Sequence, residues 1–191
     1  MKKTSFLLIL LLLINCSRPL YIKDKHFNCS SNEFIIDSDL KELVYKSLKR
    51  AVVTQKDIPD YRLLWKKHRI YVASEYHDTK KHYPTISDWK KDAKNLKPNE
   101  VPNSINNVSF CLKTQKELQK IANKTWENFL HLSFKLIKIE ENKATIKINN
   151  TWIVSNKHPK TSYLSGGGYV LLFKKSNNNW EFEKIEAAWI S

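Results

Sequence analysis

Glycine, proline and cysteine are scarce in this chain: 3, 6 and 3 among 191 residues. So little glycine and proline excludes collagen-like and low-complexity sequences. Three cysteines are too few to scaffold a disulfide-held miniprotein. Acid is short as well, with 19 acidic side chains against 33 basic ones and a formal charge of +14. Beyond residue 14, no apolar run approaches the ~20 residues that cross a bilayer as a helix. What remains is 41% hydrophobic, 12% aromatic and 27% charged. That is the profile of a folded chain long enough for one domain with a real core.

The N-terminus carries the clearest signal. Lys2 and Lys3 form a positive region, and residues 6–14 are an unbroken apolar run. Nine residues at about 1.5 Å each are too short to span a hydrocarbon core, so the pattern reads as a secretory signal. The segment Leu13-Ile14-Asn15-Cys16 resembles a bacterial lipobox. Asn15 departs from the Gly, Ala or Ser usual before the cysteine. The resemblance implies cleavage before Cys16 and acylation of both its thiol and its new amino group. It divides the chain into a signal at 1–15, a lipidated polar tether at 16–33 and a single α+β domain at 34–191. Several acyl chains, at ~0.8 kcal/mol per buried CH₂, would anchor the protein stably to a membrane. Loss of Lys2 and Lys3 takes the charge from +14 to +12. By lipoprotein sorting rules, Ser17 leans toward the outer membrane of the bacterial cell envelope.

The other thiols, Cys29 and Cys111, would then sit in an oxidising compartment. A bridge between them and two separate buried thiols are equal readings, because sequence does not fix their separation. Closed, so long a loop would contribute ~4 kcal/mol in the entropy model.

Along the mature chain, Asp39 and Glu42 have capping-box spacing, and Leu40, Leu43, Val44, Leu48, Ala51 and Val52 share a helical face. Asp57-Ile58-Pro59 reads as a second helix start, with Tyr61, Leu64 and Trp65 on its apolar side. Residues 69–76 and 108–113 read as strands. Between them, residues 77–107 are the least periodic stretch. Thr114 and Glu117 mark a capped helix with Leu118, Ile121, Ala122 and Trp126 facing inward. Four long strands follow. The first, 129–140, shifts phase after Leu136, and the last, 180–190, shifts between Phe182 and Ile185, each implying a bulge that bends the sheet. Trp180, Phe182, Ile185 and Trp189 are expected to be mostly buried. The fold class is therefore α+β, with N-terminal helices packed on one face of a bent antiparallel β-meander of about four to six strands. Ser165-Gly166-Gly167-Gly168 within a strand and the closing Trp189-Ile190-Ser191 resemble uncharacterised bacterial lipoproteins. The C-terminal half resembles cone-shaped α+β domains of the nuclear-transport-factor-like or cystatin-like type. Neither resemblance carries a catalytic residue to this chain.

Chemistry-bearing motifs are weak. Gly166, Gly167 and Gly168 hold every glycine, but strand-like residues follow them where a phosphate loop would open a helix. They read as structural, marking a bulge or close backbone approach. Glu75, His77 and His82 lack recognised metal-ligand spacing, so no metal or cofactor site is assigned. His131 and His158 lie in separate elements. Lysine pairs recur at 66–67, 80–81, 90–91 and 174–175; Trp65 and Trp89, each flanking one, are candidates for an exposed contact. Nucleic acid is excluded as a partner by the compartment; the partners expected are a membrane through the anchor and an anionic envelope surface or another envelope protein. The functional reading is a non-catalytic binding or interaction module. Its rivals are a small enzyme with a pocket in the cone and an immunity-type protein.

Overall fold

The computed structural model describes residues 27, 29, 32–52, 68–81, 86–157 and 166–190. Cys16, the helix expected from Asp57, Trp65, His82, His158 and the side chain of Trp89 lie outside the described residues. Four strands make up the C-terminal part: β6 (Phe129–Glu140), β7 (Lys143–Ile153), β8 (Gly167–Ser176) and β9 (Asn179–Ile190). They pair antiparallel in sequence order. Turns with Glu141 at φ 22°, and Asn177 and Asn178 at φ 50° and 62°, close the two hairpins, and Asn tolerates that region well.

The meander extends into a larger sheet of order β4-β5-β1-β6-β7-β8-β9. The added strands are β1 (Arg69–Ala73), β4 (Ser104–Ile105) and β5 (Val108–Lys113). Two features of the expected architecture are corrected by this sheet. It has seven strands, and it is mixed, because β1 pairs parallel with both β5 and β6. Parallel strands need a long crossover, and helix α3 (Gln115–Thr125) supplies it between β5 and β6, which run parallel on either side of β1. The two-residue β4 is too short to carry a period, which is why sequence does not show it.

Residues 69–76 also divide. Ser74 ends β1, donating its N–H to the Lys113 carbonyl at 3.0 Å and accepting from Leu96 N–H at 2.8 Å. The chain continues as β2 (Glu75–Tyr76), which forms a separate ribbon with β3 (Lys94–Asn95). A short helix, α2 (Ile86–Lys91), precedes β3.

Helices cover both faces of the sheet, which corrects the one-sided packing. Helix α1 (Asp39–Val52) buries Leu43, Val44, Leu48, Ala51 and Val52 in a cluster with Ile70, Val72, Phe110, Leu132, Phe134, Ile146, Ile148, Tyr169, Leu171, Phe173 and Trp180. Ser38 Oγ accepts from Lys41 N–H at 3.4 Å at its start. Asp39 and Glu42, spaced for a capping box, reach across to the last hairpin. Asp39 accepts from Lys175 Nζ at 2.8 and 2.9 Å, which holds its carboxyl below the usual carboxylate range. Glu42 accepts from the Trp180 N–H at 3.0 Å, and Lys46 donates to the Trp180 carbonyl. Side chains of α1 thus occupy backbone groups that an edge strand would otherwise leave open to pairing.

The opposite face carries a smaller apolar cluster of Tyr71, Ala73, Cys111, Leu118, Ala122, Phe129 and Ile153 under α3. Thr114 caps α3 as the sequence implies: its Oγ1 accepts from Glu117 N–H at 3.2 Å, and Glu117 accepts from Thr114 N–H at 2.8 Å. Those bonds to Thr114 hold the Glu117 carboxyl below its usual range. Cys29 and Cys111 are joined in a disulfide, with Cα atoms 5.6 Å apart.

The phase shifts appear as register shifts. One lies between Phe134 and Leu136 in β6. In β9, Leu171 pairs with Ile185 and Val170 with Ala187, while Leu172 pairs with Lys184 and Phe173 with Phe182. Glu183 and Glu186 are left as the extra residues, so the last strand carries two bulges. Burial along it is less than expected. Trp180 is fully buried, but Phe182 is 37% exposed, with the Arg50 guanidinium 3.6 Å above its ring; Ile185 and Trp189 are half-buried.

The glycines are a site of close approach, not of unusual backbone, since none has positive φ. A Cβ on Gly168 would lie 2.4 Å from the Trp189 ring and 2.8 Å from the Ile148 carbonyl oxygen. Trp189 crosses the sheet where a side chain is missing.

Candidate functional site

The polar face of α3 repeats Gln115, Lys116, Gln119, Lys120 and Asn123, positions that share one side of a helix. Opposite it stand Glu75 of β2, Asn95 of β3, Lys90 of α2 and Ala93. Together they bound an open cleft of about 670 Å³. Three lysines against one glutamate make it cationic, and four amide side chains supply both donors and acceptors. One wall is braced by hydrogen bonds. Gln119 Nε2 donates to the Val154 carbonyl at 2.8 Å and to Asn123 Oδ1 at 3.2 Å. Asn123 Oδ1 also accepts from the Asn156 N–H at 2.8 Å. The opposite wall is held by Ser74 Oγ, which donates to Asn95 Oδ1 at 3.1 Å.

Behind Glu75 the same sheet face stays polar. Lys135 is half-buried on β6; burial pushes its ammonium below the ordinary lysine range, Glu75 opposes that shift and Lys147 reinforces it. Further along, His131 is 2% and Ser133 1% exposed. Burial, with Lys135 adding to it, lowers the His131 imidazole to about 4, so it is neutral at pH 7. His131 Nε2 lies 3.4 Å from Thr151 Oγ1. Among the described residues, His131 Nδ1, Ser133 Oγ and Asn149 Oδ1 have no hydrogen-bond partner; Ser133 and Asn149 are register partners across β6 and β7.

Trp126 departs from the expected inward orientation. It is 55% exposed and ends α3 at φ 61°, with Lys157 Nζ 4.7 Å from its ring centre. The helix stops one residue before Trp126 can reach the core, and the left-handed backbone turns it outward.

Of the residues singled out in the sequence, Glu75 and Lys90 come to the cleft. His77 is buried, and no group of three metal-ligating side chains occurs among the described residues. The lysines and amides of α3 escaped notice, although the signal was present: a helix stripe whose only charges are lysines. Compared with known proteins, the chain matches no family model, no curated protein and no solved structure.

Proposed function

We propose that this chain is a lipid-anchored protein of the bacterial cell envelope that acts as a non-catalytic binding module, and that its ligand-binding site is the lysine-lined cleft for an anionic ligand. The observation that carries the reading is the convergence of Lys90, Lys116 and Lys120 with Gln115, Gln119 and Asn123 in one concavity. Lysines crowded in a cleft raise the local concentration of anions, and amides fix their orientation. The lipobox-like Leu13-Ile14-Asn15-Cys16 supports the anchor. The Cys29–Cys111 disulfide agrees with an oxidising compartment. The finer architecture belongs to the same proposal: a second N-terminal helix beside α1 on the meander, in a cone-shaped domain. The bulged sheet and the burial of α1 against it support this.

Calorimetric titration with citrate, a small polycarboxylate, tests the site. The chain should bind it, and the Lys116→Glu/Lys120→Glu double variant should not; equal binding by both would reject the cleft. The anchor is tested by Cys16→Ser, which should release the protein from the membrane fraction.

A further inference from the structure

We infer that the occupant of the cleft is an acidic polysaccharide, and that the binding surface continues beyond the cleft onto Trp126 and Lys157. This rests on the cleft being the binding site. The decisive residue is Trp126. Its φ of 61° is a region where a bulky side chain is an outlier and where helices usually place glycine. Such strain persists where something outweighs it. Burial does not, because Trp126 is 55% exposed. We infer that a function at the surface does, with the Lys157 cation over the ring as the contact already present there.

Its position gives that function a chemistry. Trp126 caps α3 three residues beyond Asn123, the last cleft residue on that helix. Asn123 in turn is bonded to Asn156, the neighbour of Lys157. The Lys157 ammonium lies over one face of the ring, 4.7 Å from its centre, so an incoming carboxylate must draw it aside to uncover that face. A sugar ring carrying a carboxylate complements that pair, its C–H face on the indole and its carboxylate on the lysine. Inside the cleft, Lys90, Lys116 and Lys120 match further carboxylates, and Gln115, Gln119 and Asn95 match hydroxyls. A volume of about 670 Å³ and an open mouth suit several residues of a chain. Lys90, Lys116 and Lys120 are solvent-exposed, so an anionic bilayer is the rival surface that the test separates from the polymer.

The test uses the Cys16→Ser chain, so that no anchor inserts into vesicles, and titrates it with polygalacturonate, dextran, citrate and phosphatidylglycerol vesicles. Polygalacturonate should bind and dextran should not. Trp126→Gly should weaken polygalacturonate about tenfold, the loss typical of removing an aromatic anchor, and leave citrate unchanged. Because glycine suits the left-handed position, the variant should melt no lower than the parent. Trp126→Asn, which also tolerates that backbone, should behave alike. Parent-like polygalacturonate binding by both variants, or a drop in melting temperature in both, would overturn the inference while leaving the cleft intact. Binding to the vesicles in preference to the polymer would overturn it in favour of a membrane surface. Citrate binding that survives Lys116→Glu/Lys120→Glu would instead remove the cleft reading beneath it.

Discussion

The two faces of the sheet are built by different rules. Under α1 the core is continuous and apolar, drawing on α1 and on β1 and β5 through β9. Under α3 the apolar cluster is small and the sheet soon turns polar, through His131, Ser133, Asn149 and Lys135 to the lysines of the cleft. Apolar burial is the main favourable term in folding, whereas each buried polar atom without a partner costs about 1–3 kcal/mol. The α1 face therefore carries most of the apolar burial, while buried polar atoms without a partner among the described residues occur on both faces, Ser47 Oγ and Trp180 Nε1 under α1 and His131 Nδ1 and Ser133 Oγ under α3. A disulfide sits on the poorer face, where Cys111 lies in the small cluster and Cys29 packs against it.

The comparison breaks most readily on the α1 face. Phe134, fully buried between the sheet and α1, should lose about 3–5 kcal/mol on truncation to alanine. Urea unfolding of Phe134→Ala would show it, and a midpoint near that of the parent would mean this face is not the main core.

Removing the staple from the other face comes next. The disulfide spans 82 residues, and Cys29→Ser with Cys111→Ser should cost about 4 kcal/mol by loop entropy. The same unfolding experiment under non-reducing conditions measures it. A loss well below 1 kcal/mol would show that the small cluster needs no covalent support.

A pH series then separates the faces without touching the core. His131 titrates near 6.5 when unfolded and at about 4 when folded. Its contribution is intact above pH 6.5, where both states are neutral, and falls as pH drops through the window to about 4, where the unfolded chain takes up the proton first. The loss amounts to about 3 kcal/mol over the window. His131→Phe should flatten that part of the stability profile. A parallel profile for the variant would place the titration elsewhere.

The smallest effect belongs to the glycines. Gly168→Ala sets a methyl against the Ile148 carbonyl and the Trp189 ring, a misfit worth about 1–3 kcal/mol. Trp189→Ala should relieve only the ring part of it, so a double-mutant cycle will show partial coupling. No coupling would mean that Trp189 swings away.

Several of these features were legible in the sequence for a physical reason: they are local. Thr114 and Glu117 sit three residues apart and can bond only around a helix start. The change of phase in β6 must leave an extra residue in the ladder, although the structure puts it at Lys135, between Phe134 and Leu136, and not after Leu136. Helical spacing places Trp126 inward, whereas the chain leaves the helix at that residue. Alternation with Trp180 places Phe182 inward, whereas in the structure its ring is 37% exposed and lies under the Arg50 guanidinium.

By itself, then, the sequence determined the α+β class, the capping box that starts α3, the bulged strands and the lipobox-like start, since each follows from neighbours within a few residues. Tertiary structure alone decided that β1 enters parallel between β5 and β6, that α1 and α3 take opposite faces, and that Cys29 meets Cys111. It also decided that Glu75, Lys90 and Lys120 border one cleft. Periodicity records which side of a strand or helix is apolar, but not which other element that side will meet. Residues far apart in the chain become neighbours only when loop closure is outweighed by burial summed over the whole domain.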